Sequence, residues 1–341
     1  MPVKMDGDNT VNNAKGCVSM LSVSIGEIIK SRRKDLDCSQ EDLSFGICSV
    51  STLSKIERGL QIPTRATFEA LMERLGVSPH LYPSFSNEKD RASFELQHEF
   101  NEAYAKSDYA EAERVLNELD GMSDLDRAHE SFILTSRLLL KQRKRLLEPK
   151  DAIKEFEQII KLYIRNFSIG KIKKYLLTKN DINLLNALAV AYYESGDSQT
   201  AIKILYELAE FIRNKVTDRE GFSIIYTKIL YNLSSYVGMS NNHEEVLRIC
   251  TIAIEDCVKY SRYRYFSHLI FNKGCSLINL GRETEGHECI KASYYICAVI
   301  GKHCEPNLKF IKDYAIKLGI GDMLNEPISG ENIFEKFSSN Y

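Results

Sequence analysis

The stretch SQEDLSFGICSVSTLSKIERG, residues 39–59, holds two short helical periods on either side of a glycine turn. Ser39 is the N-cap of the first period, and Gln40, Glu41 and Asp42 make a negative first turn that suits the helix dipole. Leu43 supplies the inward apolar residue. The chain turns around Gly46–Cys48, and Ser49 caps a second helix that runs to Arg58. Leu53 and Ile56 form its core side and Gly59 ends it. Two short helices joined by a tight turn, the second capped by serine at its exposed end, predict helix-turn-helix geometry.

Outward from this stretch, residues 24–82 read as one compact block of short helices. Pro79 and Pro83, with Ser84, Ser86 and Asn87, then mark a hinge, and 83–91 is expected to be a linker. Residues 1–23 are small and polar with no hydrophobic period, so a disordered extension is expected. Everything after about Arg91 is helical in pattern, and it repeats. Five turns recur, SDYAEA, LEPKDA, GDSQTA, NNHEEV and GRETEG, ending at Ala112, Ala152, Ala201, Val246 and Gly286 with spacings of 40, 49, 45 and 40 residues. The third copy, LLNALAVAYYESGDSQTAIKIL from Leu184 to Leu205, resembles the tetratricopeptide consensus. The chain is therefore expected to be all-α. A helix-turn-helix head should precede a right-handed α-solenoid of about five degenerate helix pairs at 92–305. Residues 306–341 should provide the C-terminal cap, a helix over Asn307–Leu318, and a polar tail.

Composition agrees with long helices, since 341 residues include only 18 Gly and 7 Pro. Lys+Arg 45 against Asp+Glu 47 gives a net charge of −2, so nucleic-acid binding needs a local patch. The nine cysteines contain no CxxC pair and read as reduced, buried thiols. No apolar stretch reaches the ~18–20 residues of a membrane span, and the polar N-terminus lacks a signal-peptide core. A soluble, intracellular protein without membrane partners is expected.

The S-Q-E-x-L start and S-K-I-E-R-G finish resemble the helix-turn-helix of the Cro/repressor (XRE) superfamily. The segment GIC…S…SKIE.G is most similar to its PlcR/Rgg branch. Regulators of that branch, the RNPP group, carry such a head on about five degenerate tetratricopeptide repeats, so the resemblance spans nearly the whole chain. It implies a cytoplasmic homodimer. Its head would read a palindromic operator in double-stranded DNA, and its repeats would bind a short signalling peptide of the quorum-sensing type.

The resemblance places the exposed face of the second helix, Ser49, Val50, Ser51, Thr52 and Lys55, in the major groove. Lys55 suits guanine O6 or N7, Ser51 either edge, and Val50 a thymine methyl. Ser49, Thr52 and Gln40 should hold phosphates, with Arg65 and Arg58 as further candidates. Arg33, seven residues before Gln40, is expected to form an internal ion pair with Glu57, as in the superfamily. The block from Ser24 to Leu81 holds 8 Lys+Arg and 8 Asp+Glu, so a single neutral head should bind DNA weakly and rely on dimerisation.

For the peptide, stepping back 14 positions from each turn residue reaches His98, Leu138, Ala187, Asn232 and Asn272. Asn186 is one residue from a third asparagine. Asparagine is poor inside helices, yet its amide offers both donor and acceptor to an extended backbone. In the RNPP group, asparagines on inner helices hold the peptide in this way. Helical spacing adds Asn183, Lys228, Ser235 and His268 to the same stripe. The alternative for these amides is to join neighbouring helices or face water.

The basic run Lys141–Arg145 and Lys171, Lys173 and Lys174 read as solvated helix ends or as receivers of a carboxylate or phosphate. His287, Cys289, His303 and Cys304 lack zinc spacing, so no metal is expected. No P-loop, dinucleotide turn or nucleophile–base set is present, so neither a cofactor nor an enzyme is expected. The rival reading is a protein-interaction scaffold with a weak or vestigial DNA-binding head.

Overall fold

The structure is a computed structural model that describes residues 25–77, 85–300 and 305–325. The extension 1–23, the hinge prolines Pro79 and Pro83, the tail beyond Asn325, and Cys17, His303 and Cys304 lie outside these residues. Among the described residues every regular element is helical and no strand occurs. The chain forms two compact units. The first holds the described residues up to Asp197 together with Arg213–Asp218, and the second holds Ser198–Ile212 and the described residues from Arg219 onward.

The first unit begins with the head: α1 (residues 25–35), α2 (Gln40–Ser44), α3 (Val50–Glu57) and α4 (Arg65–Arg74). Ile29, Leu43, Leu53, Ile56, Leu71 and Met72 are wholly buried at its centre. Each comes from the apolar side of a short helix, so a small core is closed by all four elements. Burial of this kind contributes roughly 1.5–3 kcal/mol per large aliphatic side chain.

The head is followed by α5 (Glu88–Ala105), α6 (Tyr109–Asp120), α7 (Arg127–Arg143), α8 (Pro149–Tyr163) and α9 (Lys179–Glu194). Asn87 N-caps α5 by accepting from Asp90 N, so the first turn of this helix already occupies the end of the expected linker. α5 packs on α6 through Phe100, Ala112, Val115 and Leu119, and α8 packs on both α7 and α9.

The second unit carries most of α10 (Ser198–Lys215), then α11 (Arg219–Met239), α12 (His243–Lys259), α13 (Phe266–Asn279) and α14 (Glu283–Ile300). Its last helix, α15 (Glu305–Lys317), packs against α14. Ile311 and Ala315 of α15 join Ile290 and Cys297 of α14 in one apolar cluster, which covers the final pair as a cap.

Within the units, four helix pairs follow the head: α5/α6 and α7/α8 in the first, α11/α12 and α13/α14 in the second. All five turns recognised in the sequence lie between consecutive helices in the chain. The small residue that closes a turn marks close approach, most sharply at Gly286. A Cβ there would lie 2.5 Å from Ile278 Cγ1 and 2.8 Å from the Gly274 carbonyl oxygen. α13 and α14 meet backbone to backbone at these two glycines.

Candidate nucleic-acid interface and ligand pocket

Ser49 sits at the start of α3 in extended backbone, and its Oγ accepts from Thr52 N at 3.0 Å. The same oxygen lies 2.9 Å from Ser51 Oγ and 2.8 Å from Thr52 Oγ1, so three hydroxyls cluster at the helix N-terminus. Val50 is 43% exposed, Ser51 and Lys55 are exposed, and Thr52 is half-buried. Leu53 and Ile56 turn the opposite face into the core. The arrangement offers hydroxyl donors and backbone N–H groups at a positive helix end, with one lysine a turn further along, which is chemistry suited to phosphates and base edges.

Beneath this face, Arg33 Nε and Nη2 donate to Glu57 Oε1 and Oε2 at 2.6 and 2.9 Å, while Nη1 donates to the Cys38 carbonyl at 2.8 Å. Gln40 Nε2 donates to Glu57 Oε2 at 2.7 Å. Burial would push the Glu57 carboxyl up, but the bonds from Arg33 and Gln40 hold it below the ordinary glutamate value. The Gln40 amide is therefore engaged in positioning α2 against α3, which reduces what it can offer a phosphate.

Arg65 requires a correction as a phosphate contact. It is 6% exposed, its Nε donates to Glu69 Oε1 at 2.6 Å, and its guanidinium lies 5.5 Å from the Phe94 ring centroid. Its backbone N donates to both Asp90 carboxylate oxygens, so it belongs to the junction between α4 and α5. Arg58 is exposed and donates to the Ser54 carbonyl.

The head is locked to the first repeats by buried polar groups absent from the sequence-level reading. Arg74 donates to the Leu43 and Phe45 carbonyls and, at 3.0 Å, to the Tyr163 carbonyl of α8. It stands 3.7 Å from the Asp181 carboxylate in the first turn of α9. Glu73 accepts from Lys179 N at 2.9 Å, and burial raises its carboxyl to about 7. Asp126, the N-cap of α7, accepts from Thr64, the N-cap of α4, and from Thr67 of that helix, and lies 2.8 Å from His129 Nδ1.

In the second unit a cavity of about 420 Å³ opens between α11, α12, α13 and α15. Of the seven residues expected to hold a peptide, Ser235, His268 and Asn272 line it. Asn272 Nδ2 donates to Ser234 Oγ at 2.9 Å and Ser235 Oγ at 3.0 Å, bridging α13 to α11. The His268 ring is 5.1 Å from Tyr231, which itself stacks on Tyr265 at 5.6 Å. Lys228 and Asn232 lie half-buried on α11 and do not line this cavity. Asn183 and Asn186 belong to α9 in the first unit, where Asn186 is 2% exposed. Sequence reasoning missed Tyr231, Ser234, Phe271 and Phe310. The detectable signal was an aromatic residue directly before each of Asn232 and Asn272, one repeat apart.

Cys275 also lines the cavity, and burial pushes its thiol to about 11, far from a nucleophilic thiolate. Lys141 and Lys144 of the basic run pair with Glu155 and Glu113 at the surface. Among the described residues no group of histidine, cysteine or carboxylate side chains could hold a metal, and no helix is long and apolar enough to cross a membrane.

Residues 29–81 match the family model described as Helix-turn-helix, so the head is a helix-turn-helix domain of that type. Over most of the chain the fold is similar to two solved structures. PlcR of Bacillus thuringiensis, in complex with the peptide PapR7 and DNA, superposes with a TM-score of 0.57 at 18% identity, covering 85% of this chain and 99% of that one. ComR from S. thermophilus, in complex with DNA and its signalling peptide ComS, gives 0.51 at 15% identity, covering 86% and 99%. At such identities the likeness establishes the fold. No curated protein sequence matches the chain.

Proposed function

We propose that this protein is a transcription regulator that binds double-stranded DNA through its helix-turn-helix head and responds to a short signalling peptide held by its repeats. It would act in the cytoplasm as a homodimer on a palindromic site, as a binder and not a catalyst. The observation that carries the reading is the exposed N-terminal face of α3, with Ser49, Ser51, Thr52 and Lys55 presented on a core-anchored helix. The fold shared with PlcR and ComR, whose solved complexes contain DNA and a peptide, supports both partners.

The peptide site is read as the cavity at Ser235, His268 and Asn272, with Lys228 and Asn232 on the same unit. Asn183 and Asn186 are candidates on α9. That helix supports a coupling route, because its first turn holds Glu73 and Arg74 of the head while its next turn carries Asn183. A peptide that binds one arrangement of this junction better than another would shift the head.

The neutral charge of the head favours a second reading, a scaffold with a weak DNA-binding module. Selection of duplexes from a random library by the full chain, with and without peptide extract of the producing culture, separates the two. Enrichment of a palindrome in either arm supports the regulator. Absence of enrichment in both overturns it in favour of the scaffold.

A further inference from the structure

The loop joining α8 to α9 is bound to the helix-turn-helix at the side where α2 begins. Arg165 Nη1 lies 3.0 Å from Glu41 Oε1 and 3.4 Å from Asp42 Oδ1, in the first turn of α2, next to Gln40. Despite both contacts Arg165 remains 46% exposed. The attachment continues at Gly46, in the turn between α2 and α3. It has φ +76°, and a Cβ there would lie 2.8 Å from Tyr163 Cα and from the Tyr163 carbonyl oxygen. The Tyr163 carbonyl is also held by Arg74. Tyr175 ties the loop together, because its OH accepts from Ser168 N and donates to the Asn166 carbonyl, both at 2.8 Å. Ile172 is fully buried between Lys171 and Lys173, while Lys171 and Lys174 are exposed.

Resting on the reading of the head as a DNA binder, we propose that this loop is a second phosphate-contacting element of the interface. Arg165 neutralises the carboxylates that would repel DNA at the start of α2, and Lys171 and Lys174 add backbone contacts. A motif that must approach phosphates carries two exposed carboxylates at that helix end, and its own charges sum to zero. The added cations come from a segment seated on the head, so they arrive with it at the duplex.

The test uses the full chain with the duplex enriched by selection and a scrambled duplex of equal length, over a range of salt concentrations. Lys171→Ala/Lys174→Ala should weaken binding to both duplexes alike, roughly tenfold at moderate salt, and reduce the salt slope by about 2. Arg165→Gln should weaken both in the same way, and adding Glu41→Gln should restore most of the loss. Circular dichroism and thermal unfolding confirm folding of each variant. Unchanged or tighter binding with an unchanged slope overturns the proposal and makes the loop a structural strap. If Lys55→Ala abolishes sequence preference while the loop variants bind normally, only the loop assignment falls. If the native chain binds neither duplex under any condition, the DNA-binding reading falls as well.

Discussion

Arg74 of the head and Asp181 of the repeats form a buried pair, 4% and 3% exposed, with 3.7 Å between guanidinium and carboxylate. Burial pushes the Arg74 guanidinium down and the Asp181 carboxyl up, and the attraction between the two offsets only part of that cost. Asp181 also accepts from Thr178 N at 2.9 Å in the capping box of α9, so one carboxylate orders both the helix start and the head. Asp181→Ala should leave Arg74 charged and unpaired, lowering stability by about 3–5 kcal/mol in urea unfolding. A loss below about 1 kcal/mol would show that water reaches the junction.

Glu73 sets a pH dependence at the same junction. Its folded carboxyl titrates at about 7, above the ordinary value of 4.5. A raised value means that stability is fully present below 4.5 and is lost as pH rises through 7. Glu73→Gln should flatten this loss between those values and stabilise the protein at pH 8 by roughly 1–3 kcal/mol. Unfolding curves at several pH values read it directly. A wild-type curve that is flat across the window contradicts the assignment.

Glu57 has the opposite sign. Its carboxyl is held below the ordinary value, so the stability it lends is present above 4.5 and drains as pH falls. Glu57→Gln should remove part of the acid sensitivity of the head and cost about 1.5–3 kcal/mol at neutral pH, because Arg33 keeps a weaker, uncharged partner. Amide exchange in α1 and α3 between pH 3 and 7 would report it. Equal acid sensitivity in the variant would point elsewhere.

At the interface, Lys55→Ala should relax discrimination at one base pair by about 1–3 kcal/mol without changing stability. Ser49→Ala should do two things, costing about 1 kcal/mol of helix stability and weakening binding evenly across sequences. Duplex binding with single base-pair changes distinguishes the two patterns. A uniform loss from Lys55→Ala would make it a phosphate contact.

In the cavity, Asn272→Ala removes the donors to Ser234 and Ser235 and so affects packing as well as binding. Ser235→Ala keeps the Asn272 bond to Ser234 and is the cleaner probe. Both should weaken peptide binding measured by calorimetry, with peptide-free DNA binding near normal for Ser235→Ala. If both assays fall together in Ser235→Ala, the residue serves folding.

The head and the repeats were legible to different depths. Ser39 and Ser49 announce their helices because the capping bond closes over three residues. Leu53 and Ile56 declare a core face for the same local reason. The five turns stand out because a polar or Gly-Asp step stops one helix and a small or apolar residue such as Gly286 opens the next. Arg65 misled because proline and threonine before it mark a helix start correctly, while its side chain is claimed by Glu69 and Phe94. Asparagine register located Asn272 at the cavity, but Asn186 faces an interior that its own helical period does not distinguish from a groove.

Residue order alone determined what depends on neighbours three or four positions apart: helix starts and stops, the apolar stripes, and the pairing rhythm. Tertiary structure decided the rest. It brought Arg74 to a carbonyl 89 residues away and Arg165 to a carboxylate 123 residues away. It also gathered Asn272 with Ser234 and Ser235 across two helices. Charged and polar side chains have no periodic signature of their own, because their partners are set by which helices pack together. That choice is made by the apolar faces, and the hydrogen bonds follow it.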